Sequence, residues 1–414
     1  RAREGVFHER GTKTESRATA EWCRALETAE VRLASDENAR ARSRMSPSDV
    51  AGAMLNVAAN SARRVRLRRR EASAEEAWRA LESAAVRFCR DALRERDGKN
   101  LSDDPVSPRD LANVWYAFAS AGRLPAASTR TALELASAAA APRFSARHVA
   151  AATYAYATIG FPGTESASAA AFLRAMDAAA ARVAGSDEMN ARTLAQTLWG
   201  FGAVAALSRG GVEPGFPASS AALWSASHAL ATERFQLLDV TLCTFFHAKL
   251  MYEELVRDGA AVIQKNAGDA TTGSSVSFPS WIDGAAREAW IANAVGDVDV
   301  SGTHFEVSEC LKAILPGEEV VLECLTADEC FSLDVYVPQL DLGVEVDGPT
   351  HYAELETGEG TRRRVAKTRL RDAFLRRRMR TLVVVPWFEF RAARGEEEKK
   401  AYLRAKLRDA GVEA

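Results

Sequence analysis

Four segments of the chain carry the same helical pattern, and that repetition restricts the fold of the first two thirds more than any other feature. They read SPRDLANVWYAFASAG from Ser107, SARHVAAATYAYATIG from Ser145, NARTLAQTLWGFGAVA from Asn190 and QLLDVTLCTFFHAKLM from Gln236. Each is set on its first aliphatic residue: Leu111, Val149, Leu194 and Val240. Five positions on stand Tyr116, Tyr154, Trp199 and Phe245; seven on stand Phe118, Tyr156, Phe201 and, as the one departure, His247. Ten on, Ala121, Ile159, Val204 and Leu250 close the stripe. These offsets lie along one face of a helix.

Four positions before the anchors stand Ser107, Ser145, Asn190 and Gln236, the first three of them good N-caps. Asp110 and Asp239 suit the positive first turn of a helix. A weaker fifth copy begins at Ser46-Pro47, with Asp49, Val50 and Leu55 at matching offsets. Second amphipathic or Ala-rich helices are expected between copies, over Ser128–Ala140, Ala167–Val183 and Ser219–Thr232. The unit is a helix pair with anchors 38, 45 and 46 positions apart. A pair of this size cannot bury its own apolar face, so the copies are expected to stack into an α-solenoid with the aromatic stripe as its core. The polar part of each first helix is the expected ligand surface, with Asn113, Gln196 and Arg147 as candidates. Such scaffolds serve protein or single-stranded RNA partners, and the period does not choose between them.

The 38-residue spacing with its aromatic-rich first helix resembles the octotricopeptide repeats of algal organellar RNA factors and the related helical regions of FAST-kinase-like proteins. The longer spacings imply inserted loops or an irregular array. Net charge is −2, so no whole-chain field draws nucleic acid, and binding must come from local basic patches. The six cysteines form no CxxC pair, which speaks against a structural zinc or a disulfide framework. No apolar run is long enough to span a membrane.

Residues 1–45 read as a basic leader, solvated or targeting, although transit peptides avoid the Glu and Asp it contains. The helical repeats occupy 46–265. Within them Arg63–Arg70 (RRVRLRRR) reads as a solvated face or a phosphate contact. The Gly/Ser/Thr-rich stretch 266–280 reads as a linker, and 281–414 as a C-terminal α/β domain.

In that domain a helix over Trp281–Ala294 and another over Thr303–Leu315 precede β-rich runs from Val320, Phe331 and Leu342. A long basic helix is expected over Thr361–Arg380, then a strand from Thr381 and a final helix over Glu396–Ala410. Three carboxylates sit among apolar strand residues: Asp334 in FSLDVYV, and Glu345 and Asp347 in LGVEVDG, with His351 past a Gly-Pro turn. Ionised carboxylates are rarely buried unless they are paired or bind a metal.

FSLDVYVP, VEVDGPTHY, a Lys/Arg-rich helix and LVVVPWFEF together resemble the RAP domain over about 331–407. The basic helix departs from that pattern, ending in RRRMRT where relatives carry a Gly. The resemblance implies a factor for organellar RNA processing, stability or translation, placed in mitochondrion or chloroplast, with ribonucleoprotein partners. The RAP domain is in turn similar to PD-(D/E)xK nucleases, which have a restriction-endonuclease-like fold. That likeness implies Asp334 and Glu345 as ligands for Mg²⁺, with Asp347, His351 and Lys367 completing a catalytic set. Asp347 stands where the nuclease motif has its lysine, and Lys367 is the candidate for a displaced one.

The basic segment holds ten Lys/Arg against one acid, Asp372. Arg362, Arg363, Arg364, Arg369, Arg371, Arg376, Arg377 and Arg378 are therefore expected to bind RNA backbone. Trp387 and Phe388 read as packing, with base stacking as the other reading. The leading expectation is an RNA-binding factor whose helical repeats track single-stranded RNA while the RAP domain binds its backbone. The alternatives are a Mg²⁺-dependent endoribonuclease and a protein-interaction solenoid.

Overall fold

A computed structural model describes residues 45–65, 72–96, 106–161, 166–208, 218–231, 236–257, 262–263, 275–295, 301–355 and 362–413. The leader before residue 45, residues 66–70 of the basic run and most of the linker lie outside the described residues.

The first two thirds are helices stacked in two rows. One row holds α1 (Pro47–Val65), α3 (Pro108–Ala121), α5 (Ala146–Ile159), α7 (Ala191–Leu207) and α9 (Asp239–Arg257), each beside the next. The other holds α2 (Ala72–Arg96), α4 (Ala127–Ala140), α6 (Ala167–Val183) and α8 (Ser220–His228). The segment of the weak fifth copy forms α1, which packs along α3. The starts are set by the expected caps: Ser107 closes a capping box with Asp110, Ser145 one with His148, and Asn190 accepts from the Thr193 backbone N–H.

The stripe is core, as its spacing requires. Phe118, Tyr156 and Trp199 are buried, with Trp115 edge-on to Tyr156. Two positions are exposed. Tyr116 is 40% exposed, although Trp199 and Phe245 at the same offset are buried. Val240 is 68% exposed, because α9 begins at Asp239 and makes it the second helical residue. The other anchors are the fourth residues of their helices, and Leu242 fills that place in α9.

A two-residue parallel pair joins β2 (Val262–Ile263) to β3 (Ser275–Val276). A π-helical turn, Ile282–Ala286, then leads into α10 (Arg287–Val295), and both pack on α9. The C-terminal unit follows: α11 (Gly302–Ile314), β4 (Val321–Leu325), β5 (Ser332–Val337) and β6 (Leu342–Asp347). Next come a hairpin of β7 (Tyr352–Leu355) and β8 (Arg362–Arg364), α12 (Ala366–Leu375), β9 (Thr381–Pro386), α13 (Trp387–Ala392) and α14 (Glu396–Asp409). The sheet order is β4-β5-β6-β9, antiparallel except for the last pair, which the α12 crossover makes parallel. Period-2 alternation puts Leu342, Val344 and Val346 into a core with α11 and α14, and turns Gly343, Glu345 and Asp347 to the other face. A Cβ at Gly343 would meet the Met379 thioether, which would have to shift to admit a larger residue.

The basic segment is shorter as a helix than its composition predicts. Arg362–Arg364 form β8, paired antiparallel with Tyr352–Glu354, and α12 covers Ala366–Leu375 only. The pre-proline-like extended entry at Val365 separates them: its φ and ψ are −66° and 158°, so the helix starts after it. Among the described residues the turn after α12 uses no positive φ, consistent with the absence of a glycine in RRRMRT.

The C-terminal unit is seated on the helical rows. The short strand β1 (Arg123–Leu124) runs parallel to β7, pairing Arg123 with Glu354 and Leu124 with Leu355. Helix α12 packs on α5 and α7. Gly160, in a left-handed conformation with φ 86° at the end of α5, lets the Ala366 backbone approach to 3.4 Å of where its Cβ would be. Phe374 stacks on Phe331, which meets Trp290 edge-on, and Phe374 also faces His247. One continuous apolar core therefore runs from the helical rows into the C-terminal unit.

Candidate functional site

Three adjacent strands each bring one carboxylate to the same region: Glu323 from β4, Asp334 from β5 and Glu345 from β6. Glu323 has a φ of 52°, a conformation that side chains other than glycine rarely adopt. His304, in the first turn of α11, lies between two of the acids. Its Nδ1 is 3.1 Å from Glu323 Oε1 and its Nε2 is 3.8 Å from Asp334 Oδ2. The Val346 backbone N–H donates to Asp334 Oδ2 at 2.6 Å.

Arg371 of α12 closes the other side. Its guanidinium is 2.9 Å from Glu345 Oε2 and 4.0 Å from Asp334 Oδ1. Burial and the neighbouring Asp334 push the Glu345 carboxyl well above the usual carboxylate range, against the pull of Arg371. The expected Asp334–Glu345 pair is thus brought together with an arginine beside it. Lys367, the candidate displaced lysine, does not join them: it is exposed and its Nζ lies 6.0 Å from the Trp199 ring on the helical rows. Arg371, one turn further along α12, holds the place beside the acids.

Asp347 belongs to a second group at the end of β6. Its Oδ1 is 2.8 Å from His351 Nδ1, its Oδ2 accepts from Tyr352 Oη at 3.0 Å, and Arg364 Nε is 2.6 Å from Oδ2. Burial works to raise its pKa, but the hydrogen bonds from His351 and Arg364 outweigh it and hold the carboxyl below the usual range. An ionised carboxylate can only accept, so His351 Nδ1–H donates to Asp347 Oδ1 and Nε2 is the ring nitrogen left for another partner.

The remaining basic residues are largely engaged within the protein. Arg363 and Arg369 both donate to the Gly160 carbonyl, at 2.8 and 3.0 Å. Arg364 bridges Asp347 and Asp372, and Arg376 reaches Asp372 at 3.5 Å. Arg377 pairs with Glu254 of α9, and Arg378 with Asp328 at 2.7 Å. Arg362 is different: exposed, with no carboxylate partner among the described residues, and lying over the rings of Phe388 and Trp387. On the helical rows Asn113 and Gln196 are half-buried and Arg147 is exposed.

Sequence reasoning missed His304 and Glu323, and assigned Arg371 to RNA backbone where the structure sets it against Glu345. Glu323 carried the signal used for Asp334, an acid inside an apolar strand run, VVLECL. His304 carried none, as only the fold brings the start of α11 over β4 and β5.

Residues 344–406 match the RAP domain, so the match opens inside β6 and closes inside α14. No curated protein matches the chain. A RAP domain therefore follows a largely helical region, and it suggests an RNA-binding role. Among the described residues no helix is long and apolar enough to cross a membrane.

Proposed function

We propose that the protein is an RNA-binding factor for organellar RNA processing, stability or translation, working in the mitochondrion or chloroplast. The observation that carries this reading is the RAP match over 344–406. The stacked helices support it as octotricopeptide-like repeats forming a solenoid, with Asn113, Gln196 and Arg147 toward single-stranded RNA. Backbone contacts fall first to cations without a partner carboxylate, Arg362 above all; the paired arginines reach phosphate only by exchanging partners. Fluorescence anisotropy of the full chain with single-stranded RNA over a salt series tests the reading. Binding that weakens linearly in log-log form with salt supports it. Absence of binding at low salt, with salt-insensitive capture of a protein partner, favours a protein-interaction solenoid instead.

A second reading, a metal-dependent endoribonuclease on a PD-(D/E)xK-type fold, is favoured by one observation. Ligand atoms of His304, Glu323 and Asp334 lie within 4.8 Å of one another. This mixed imidazole–carboxylate set suits Mn²⁺ or Zn²⁺ better than Mg²⁺, which takes oxygen ligands. Between Asp334 and Glu345 the fit for Mg²⁺ is poor, because Arg371 already sits at both carboxylates. A bound ion would supply Lewis acidity and an activated water. The protein's own contribution would be Arg371 against phosphate charge and His351 as a proton acceptor at Nε2. Cleavage of RNA with Mn²⁺ or Mg²⁺, lost in Asp334→Asn while binding persists, supports this reading; binding without cleavage under either ion sinks it.

A further inference from the structure

Strands β6 and β9 are parallel neighbours, and their last residues, Asp347 and Pro386, are register partners. Both chains leave the sheet at the same edge, where crevices at the carboxyl ends of parallel strands commonly take ligands. From β9 the chain continues directly into Trp387 and Phe388, two partly exposed rings whose centroids are 6.1 Å apart and almost perpendicular. From β6 it continues through Gly348 to His351 and Tyr352, and the Tyr352 ring meets Phe388 edge-on at 5.4 Å. The aromatic step therefore abuts the Asp347 group.

Two arginines flank this step. The Arg362 guanidinium lies 4.6 Å from the Phe388 centroid and 5.4 Å from that of Trp387; Arg391 lies 5.5 Å from Trp387. Both are exposed, and among the described residues neither has a carboxylate or carbonyl acceptor. Arg364, Arg371, Arg377 and Arg378, by contrast, all meet a carboxylate. The nearby acid, Glu389, is occupied by Lys406 and Tyr402. Among the described side chains, positive charge therefore stands beside open aromatic surface without an acidic partner. A guanidinium laid over a ring is itself a stacking plane, and its N–H donors match phosphate oxygens.

We propose that Trp387, Phe388, Arg362 and Arg391 form a binding notch for one unpaired nucleotide of a single-stranded RNA, its base on the ring–guanidinium layer and its phosphate on the two arginines. The notch deepens the RNA-binding reading and rests on it. It takes any base, because stacking and phosphate contacts carry no hydrogen-bond code.

The test is RNA anisotropy on the full chain, wild type against Trp387→Leu and the double variant R362Q/R391Q, each over a salt series. The double variant is expected to bind about tenfold more weakly at moderate salt, with the log-log salt slope reduced by about two. Trp387→Leu is expected to lose on the order of tenfold with the slope unchanged. Cross-linking of 5-iodouridine RNA is expected at residues 387 or 388. Should Trp387→Leu fail to fold, the double variant, altered only at exposed side chains, carries the test. Wild-type binding that the double variant reproduces, with cross-links only elsewhere, overturns the notch and leaves RNA binding standing. A wild-type chain that binds no RNA at low salt overturns both.

Discussion

Arg369 donates a hydrogen bond to the carbonyl oxygen of Gly160, 3.0 Å away and 209 positions earlier in the chain. Arg363 reaches the same oxygen, and the φ of 86° at Gly160 is what turns that carbonyl out of the helix toward both. Much of the basic segment thus fastens the RAP domain to the helical rows. Replacing both arginines with glutamine is expected to cost about 2–4 kcal/mol, as charge-assisted bonds to a carbonyl of the buried Gly160 are lost. Proteolysis between the two parts should accelerate accordingly. An unchanged cleavage pattern and melting temperature would show that the contact does not hold the domain.

His247 gives the protein an acid limit. Burial, with Lys367 nearby, lowers its pKa from 6.5 to about 3, and its Nδ1 accepts from Trp199 Nε1 at 3.0 Å. Below 6.5 the unfolded chain takes a proton that the folded chain refuses, so this site removes stability as pH falls toward 3. The loss approaches about 1.4 kcal/mol per pH unit. His247→Gln, which keeps an acceptor for Trp199, should flatten the denaturation profile in that window. A variant with the wild-type profile would refute the assignment.

Glu345 works in the opposite direction. Its folded pKa is raised above the ordinary 4.5, so stability from its retained proton is full at lower pH and fades as pH rises through the folded value. Glu345→Gln keeps an acceptor for Arg371 and cannot ionise. The variant should gain a few degrees in melting temperature on wild type at pH 8 relative to pH 5. Equal differences at both pH values would mean that Glu345 is ionised throughout.

The cluster of His304, Glu323 and Asp334 makes a metal prediction independent of cleavage. Mn²⁺ at about a hundred times its dissociation constant should stabilise the fold by roughly 2.7 kcal/mol. Asp334→Asn should abolish the shift, and Glu345→Gln should leave most of it. Identical thermal shifts in wild type and Asp334→Asn would place any bound ion elsewhere.

What the sequence disclosed follows from the range of the interactions involved. Helix caps such as Ser107 and the aromatic stripe of Tyr156 and Phe201 are local, and both stand where the spacing put them. The strands around Asp334 and Glu345 were equally legible from short apolar runs. The basic helix was not, because charge counting cannot see acceptors far along the chain: Glu254 for Arg377, Asp328 for Arg378, the Gly160 carbonyl for Arg369. The frame of the fourth repeat failed for a local reason. Val240 and Leu242 are both aliphatic, and only the helix start at Asp239 selects the second. The pair Arg123–Leu124 is too short to carry any periodic signal.

The aromatic junction of His247, Trp290, Phe331 and Phe374 also sets an order of events during synthesis. A chain emerging from its N-terminal side completes α9 and α10 well before Phe374 is made, and their RAP-facing surface meanwhile has no cover. Transiently exposed apolar surface of this kind invites aggregation and chaperone capture. A message truncated between β6 and α12 would leave the newborn helices permanently in that state. Translation through α12 is therefore the step that lets Phe374 cover this surface.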